Sequence, residues 1–563
     1  MDSPSKVKLT SLYQPDTSKP DRSSKVASLR RFKSWVESLP LGNMTAAGNQ
    51  LLGALKELNQ SDVAGKNRAE ILDRIIEPVL TVVGVLDKHF LDTTFPLSEK
   101  SDRIGRVAVE FFHEIALGYR LAAQSLIGGG DSIGMLSKRN VVRYLHHSMA
   151  AREQMLYRLA LLYQMAPRQV WREINTLYVF AHQHGLHGKS LNTSLSLGGP
   201  GSLEDLYLRA SIMGISDPTR LSQRGIRALA QAVALWARRS SVATRVELRG
   251  TEPGLFIVDP GSDQPPLLLG EEDVPAQFDF VLDMRPLRNW LQEVQDTASE
   301  DDSELSFRDV DDQPFIIDRQ LIIQLISTWG IRRERDFQRM EAKHEVDLLV
   351  GLNSAHFFIA GECPFARFLR EYGDKRFATA AARERARFAR RETGARPIVY
   401  RAHVLNQSLG GYRLRITETN KMALRVGELV GLCPAALADD DPVWMVGIIR
   451  WLHAIDVREI ELGIAVIGQR SRPGGLLTGD EQKPPVRALV CEPFRADMGQ
   501  RPFLVVPSSV TIRGEPALCV AETGRAQVLG VGLEDQIEKT SEIARYLFSE
   551  VARREESEES AEA

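Results

Sequence analysis

"RAHVLNQSLGGYRLRI", residues 401–416, is the stretch on which the reading of this chain turns. Strand-like residues run into Asn406-Gln407-Ser408-Leu409-Gly410-Gly411 and then resume as Tyr412-Arg413-Leu414-Arg415-Ile416. Asn, Ser and Gly populate turns for local reasons: short polar side chains bond nearby backbone, and glycine adopts conformations closed to other residues. The minimum reading is therefore a hairpin. It stands in a run of similar segments from 398 to 468, "IVYRAHVL", "YRLRI", "GELVGL", "VWMVGIIRWL" and "IELGIAVIG". Short β-rich runs separated by turn residues are the pattern of a small antiparallel barrel.

Upstream, residues 31–240 carry apolar residues at helical spacing, as in "AEILDRIIEPVLTVVGVLDKHFL" and "GRVAVEFFHEIALGYRLAAQSLI", which predicts a helical domain. Residues 1–30 form a polar, flexible arm. Near residue 243 the period changes, and 241–312 reads as a small mixed module ending in the acidic linker "DTASEDDSELSFRDVDDQ". A connecting helix, 313–331, leads to a barrel over 332–470. The barrel is interrupted at 361–397 by a basic insertion with ten Lys/Arg, five Asp/Glu and no β-pattern. A second β-rich unit, 471–548, is expected to close with a helix over "TSEIARYLFSEVARR", before a disordered acidic tail at 549–563.

At 563 residues, with 43% apolar and 26% charged residues and a net charge of -3, the composition fits several globular domains. It supplies no overall positive field, so nucleic acid is not an expected partner. No apolar run reaches the roughly 18 to 20 residues of a membrane span, and a cytoplasmic location is expected. Cys363, Cys433, Cys491 and Cys519 are scattered without a C-x-x-C pair, which suits reduced structural thiols. His182, His184 and His187 do not share a helix face and have no evident ligand partners, so no metal site is assigned. The G-x-x-x-x-G-K-[ST] phosphate loop, the G-x-S-x-G elbow and the dinucleotide fingerprint are all missing. No catalytic residue or cofactor is assigned, and the chain is expected not to be an enzyme.

With its flanking strand pattern, the opening stretch resembles the PilZ domain, a bacterial receptor module for cyclic di-GMP. That family carries an R-x-x-x-R pair at the entrance of a small β-barrel and a [DN]-x-S-x-x-G turn after its second strand. Asn406, Ser408 and Gly411 fill every defined position of the second mark. The resemblance implies a multidomain α + β protein: an N-terminal helical domain, a small antiparallel PilZ-like β-barrel and an additional β-rich C-terminal unit.

Two arginine pairs compete for the first mark. In the insertion, Arg383 with Arg387 and Arg387 with Arg391 have the spacing; upstream, Arg335 and Arg339 in "ERDFQR" have it too. The barrel needs two strands between arginines and turn, and only one fits after Arg391. Arg335 and Arg339 lead directly into "HEVDLLVGL" and are preferred, with Arg332 or Arg333 assisting, although 67 residues then separate Arg339 from Asn406. The resemblance implies that Arg335, Arg339, Asn406, Ser408 and Gly411 bind cyclic di-GMP. Arginine offers rigid forked donors that pair with phosphate or a guanine edge and stack on its face, and Gly411 leaves room for close approach of a ring. The helical domain would relay the signal to an unidentified protein partner, in processes such as motility, pilus function or surface behaviour. The alternative is a degenerate PilZ scaffold that acts through protein contacts and binds no nucleotide.

Overall fold

The computed structural model describes residues 6–128, 132–244, 253–270, 279–299, 302–330, 338–377, 379, 396–417, 421–435, 442–480, 483–493, 501–512, 514–522 and 525–551. The chain divides into two compact units, with Arg335–Ala563 and the short Thr94–Pro96 segment in one and the remainder in the other.

In the first unit the helices are α1 (Leu29–Glu37), α2 (Met44–Asn59), α3 (Gly65–Leu86), α4 (Glu99–Gln124), α5 (Met135–Leu161), α6 (Val170–Gln183), α7 (Leu203–Ile215) and α8 (Gln223–Ala237). The starts of α1, α2, α4, α7 and α8 are set by short polar side chains that accept otherwise orphaned backbone N–H groups. Ser98 caps α4 through the Ser101 N–H, and Ser202 with Asp205 forms a reciprocal capping box on α7. A buried ion cluster lies among these helices: Arg152 donates to both carboxylate oxygens of Glu173 at 3.0 and 2.9 Å, and Arg120 approaches the same carboxylate at 3.3 Å. The three histidines near residue 184 do not converge. His182 stacks on His187 at 4.3 Å, whereas His184 lies against Phe180.

A four-stranded sheet follows in the order β1 (Ser241–Thr244), β4 (Phe280–Asp283), β2 (Leu255–Ile257), β3 (Leu267–Leu268), with α9 (Arg285–Thr297) after it. The acidic stretch expected as a linker is instead a hairpin of β5 (Glu304–Arg308) and β6 (Pro314–Asp318). Its strands alternate strictly, burying Leu305, Phe307, Phe315 and Ile317 and exposing Glu304, Ser306, Arg308, Pro314, Ile316 and Asp318. Each strand is only five residues long, and the first lies within the polar, acidic stretch. Residues 314–318, assigned to the connecting helix, therefore belong to a strand, and the helix is the shorter α10 (Arg319–Gly330). Trp329 anchors α10 in the first unit, edge-on to Trp236 at 5.8 Å, with its indole N–H on Ser216 Oγ at 3.2 Å.

The second unit is built on β7 (Met340–Glu341), β8 (Glu345–Val350), β9 (Tyr400–Ser408), β10 (Gly411–Ile416), β11 (Leu429–Pro434), β12 (Met445–Ala454), β13 (Ile460–Leu477), β14 (Val486–Pro493), β15 (Phe503–Pro507), β16 (Ala517–Glu522), β17 (Arg525–Lys539) and β18 (Ile543–Val551). The order β10-β9-β8-β11-β12-β13 closes through a β10–β13 pairing into a six-stranded barrel. A second ring, β13-β14-β15-β18-β17-β16, closes back on β13. The two rings share β13. Its first half pairs with β10 and β12, its second with β14 and β16. Their connectivity is the same: in each ring the first strand pairs with the fourth and the third with the sixth.

The helix expected over "TSEIARYLFSEVARR" is replaced by β18. This strand fills the gap between β15 and β17, satisfying two backbone edges that a helix would leave open. Between β8 and β9 the chain forms α11 (Leu352–Ile359) and α12 (Phe365–Tyr372), so the start of the insertion is helical. Phe365, Phe368 and Leu369 are buried with Ala517 and Cys519 of β16. The four cysteines are buried and unpaired as disulfides.

Trp329→Ala should lower the stability of the first unit by about 3 to 5 kcal/mol, the usual cost of deleting a buried indole. Urea denaturation followed by circular dichroism would show a lower midpoint; a midpoint equal to wild type would mean that α10 is not anchored by this residue.

Candidate functional site

The turn of the opening stretch is a tight hairpin. Ser408 pairs with Gly411 across β9 and β10, leaving only Leu409 and Gly410 in the loop. Ser408 Oγ faces the Gly411 carbonyl at 3.5 Å, and Leu409 is exposed at the tip. Gly411 pairs with Ala465 of β13, and a Cβ there would collide with the Ile464 carbonyl. The crowding that demands glycine at 411 therefore comes from the barrel's own closing seam, in addition to any room a ring would need.

Arg339 meets this turn. Its guanidinium donates to Asn406 Oδ1 at 2.9 Å across the 67 intervening residues. The approach follows from strand order: Met340 and Glu341 of β7 pair with Gln407 and Asn406, and Glu345 of β8 pairs with His403 further along β9. β7 and β8 thus run along one edge of β9, which delivers Arg339 to its end. Sequence separation is immaterial once the strands are neighbours. Arg332, Arg333 and Arg335 lie outside the described residues, as do Arg383, Arg387 and Arg391 of the insertion.

A row of side chains extends from the contact across the barrel. Asn406 pairs with Arg413, Arg413 with Gly463, and Gly463 with Trp451. The Trp451 indole covers Gly463, where a Cβ could not fit, and the Arg413 guanidinium lies 5.9 Å from the ring centre. Arg413 and Arg415 both donate to Glu461, at 3.0 Å from Arg413 Nε and 2.7 Å from Arg415 Nη2, and Arg415 also reaches Glu459 at 3.0 Å. Burial pushes the Glu461 carboxyl up, but the hydrogen bonds from Arg415 and Arg413 outweigh it and hold the group below the usual carboxylate range. Two arginines are thus fixed in orientation beside an aromatic plane. Arg413, Arg415, Trp451 and Glu461 were not singled out from sequence. Only the outward positions of Arg413 and Arg415 could be foreseen, from the alternation in "YRLRI".

The arrangement combines a polar turn, oriented guanidinium groups and one half-buried indole, and it suits a ligand with anionic and flat aromatic parts. The described residues contain no group of three metal-ligating side chains placed to hold an ion, and no described helix is long and apolar enough to cross a membrane.

Residues 30–245 match the family model described as the N-terminal domain of the cyclic-di-GMP receptor FimW. Residues 255–396 and 370–473 match the model of that receptor's middle PilZ domain. The cyclic-di-GMP receptor FimW of Pseudomonas aeruginosa is 26% identical over 502 residues, covering 80% of this chain and 79% of that protein.

Gly411→Ala should strain the β10–β13 seam and lower the barrel's stability by about 1 to 3 kcal/mol, the range for an overpacked site. Leu409→Ala, at an exposed tip, should leave the thermal midpoint unchanged. Equal melting of the two variants would place the seam elsewhere.

Proposed function

Because the chain belongs to the PilZ-containing family whose N-terminal and middle domains it matches, we propose that it is a receptor for cyclic di-GMP that passes the level of this messenger to a protein partner. The observation that carries the reading is the Arg339–Asn406 contact, which joins one half of each family mark. Arg339 and Arg335 would pair with phosphate or guanine, with Arg332 or Arg333 assisting. Asn406 and Ser408 would supply short polar groups, and Gly411 would keep the wall low. The reading makes the chain an effector without catalysis, acting in the cytoplasm.

Relay would run through the segment that carries the arginines. Residues 331–337 follow α10, and α10 is packed through Trp329 on Trp236 of α8. Tying Arg335 and Arg339 to a ligand changes the pull on α10 and hence its seat on the helical domain, the proposed output surface. Amide exchange over residues 321–345 should slow when cyclic di-GMP is added; unchanged exchange there would remove this route.

A second reading, a PilZ scaffold that works by protein contacts alone, is favoured by one feature of this chain. The second ring has the same connectivity as the first, yet the sequence between its β14 and β15, "FRADMGQRP", carries no N-x-S-x-x-G turn. The barrel form alone therefore does not make a nucleotide site. Titration calorimetry with cyclic di-GMP separates the readings. A charge-assisted hydrogen bond contributes about 1.5 to 3 kcal/mol, so Arg335→Ala or Arg339→Ala should weaken binding at least about tenfold. Ser408→Ala should weaken it less, and Arg387→Ala least. Absence of heat with the wild-type chain would support the scaffold, and a greater loss with Arg387→Ala would move the site to the insertion.

A further inference from the structure

The first turn of α5 bears an apolar tip that its own fold leaves uncovered. Met135 is 90% and Leu136 96% exposed. Single exposed apolar residues are ordinary, but two large neighbours this bare, at the start of a long and otherwise buried helix, are not. The residues around them are basic. Lys138 and Arg139 follow in the same turn and are exposed, and Met135, Arg139 and Arg143 fall in one row at four-residue spacing. Beside this row Arg139, Asn140, Val142, Arg143, Lys189 and Leu191 line a cleft of about 540 Å³. The carboxylate that reaches Arg143, Asp73, is shared between it at 3.1 Å and the Tyr119 hydroxyl at 2.7 Å.

We propose that this face of the helical domain docks on an anionic lipid surface, with Met135 and Leu136 entering the acyl boundary and the Arg139–Arg143–Lys189 cleft receiving a phosphate headgroup. Charge complementarity selects the anionic headgroup. The exposure of the tip selects a membrane over a protein: the two side chains stand almost wholly free of the fold at a helix start, which suits insertion into a fluid layer. The cations sit directly behind them, at the depth of the headgroups. The proposal is independent of cyclic di-GMP binding, so the two can fail separately.

Flotation of the full chain with vesicles of phosphatidylcholine, with and without phosphatidylglycerol, tests it. Binding is expected only to the vesicles containing phosphatidylglycerol, and should fall as salt is raised. Arg139→Glu and Lys189→Glu should each weaken it about fivefold or more at low salt, because each removes one attracted charge and adds a repelled one. The Met135→Ser, Leu136→Ser double variant should weaken it roughly tenfold or more. Circular dichroism and the cyclic di-GMP titration check that each variant is folded. Equal binding to neutral vesicles, absence of binding to both, or variants that float like wild type would overturn the proposal. A glutamate-rich peptide that binds through Arg139 and Lys189 while vesicles do not would overturn it in favour of an acidic protein partner.

Discussion

The second unit depends on one strand belonging to two barrels. β13 is 18 residues long, and each half completes a different six-stranded ring. A ring has no unpaired edge, and β13 supplies two of the six pairings that close each barrel. Polar contacts reinforce the junction. Arg450 of β12 and Arg545 of β18 both pair with Glu538 of β17, and Thr540 donates to the Gly427 carbonyl at 2.8 Å. Burial raises the Glu538 carboxyl, and the hydrogen bond and charge of Arg450, then those of Arg545, bring it below the usual range. A cluster that includes Leu429, Val446 and Ile448 of the first ring and Leu489, Phe503 and Ile543 of the second fills the space between them. The two rings thus share a core cluster.

This construction explains which parts of the fold could be read from sequence. The helical domain was legible because its period near four persists through each segment, and the strands of the first barrel because they are short β-rich runs bounded by turn residues. Motif spacing and strand counting singled out Arg339 and Asn406 as residues of one site; the direct hydrogen bond between them was not among the expectations. The hairpin β5–β6 was missed because Leu305 and Phe307 sit in an acidic, polar stretch that reads as solvated loop, while Phe315 and Ile317 open an apolar run that reads as helix. β18 was missed for a different reason. "IARYLFSEV" fits a helix locally, and only the vacant position between β15 and β17 makes it a strand. Tertiary demand overrode local propensity.

The row from Asn406 to Trp451 was hidden by the same kind of non-locality. Arg413, Gly463 and Trp451 are far apart in sequence, and only register across three strands brings them together. No spacing rule along one strand reports its neighbours' register. Gly411 shows that a motif position can have more than one cause. Its lack of a side chain suits close approach of a ligand, and it is also required by the Ile464 carbonyl behind it.

The long separation of the two motif halves costs little physically. Loop closure entropy grows with the logarithm of length, so each doubling of the chain between β8 and β9 adds only about 0.6 kcal/mol. That cost is met close to the insertion's start. α12 buries Phe365, Phe368 and Leu369 against the second ring, which fixes part of the inserted chain and shortens what remains to be closed. The second barrel therefore acts on the first in two ways: it completes the pairing of β13, and it packs against α12 at the start of the insertion between β8 and β9. Seen this way, the placement of Arg339 beside Asn406 depends on the ring that carries no turn motif as well as on the one that does.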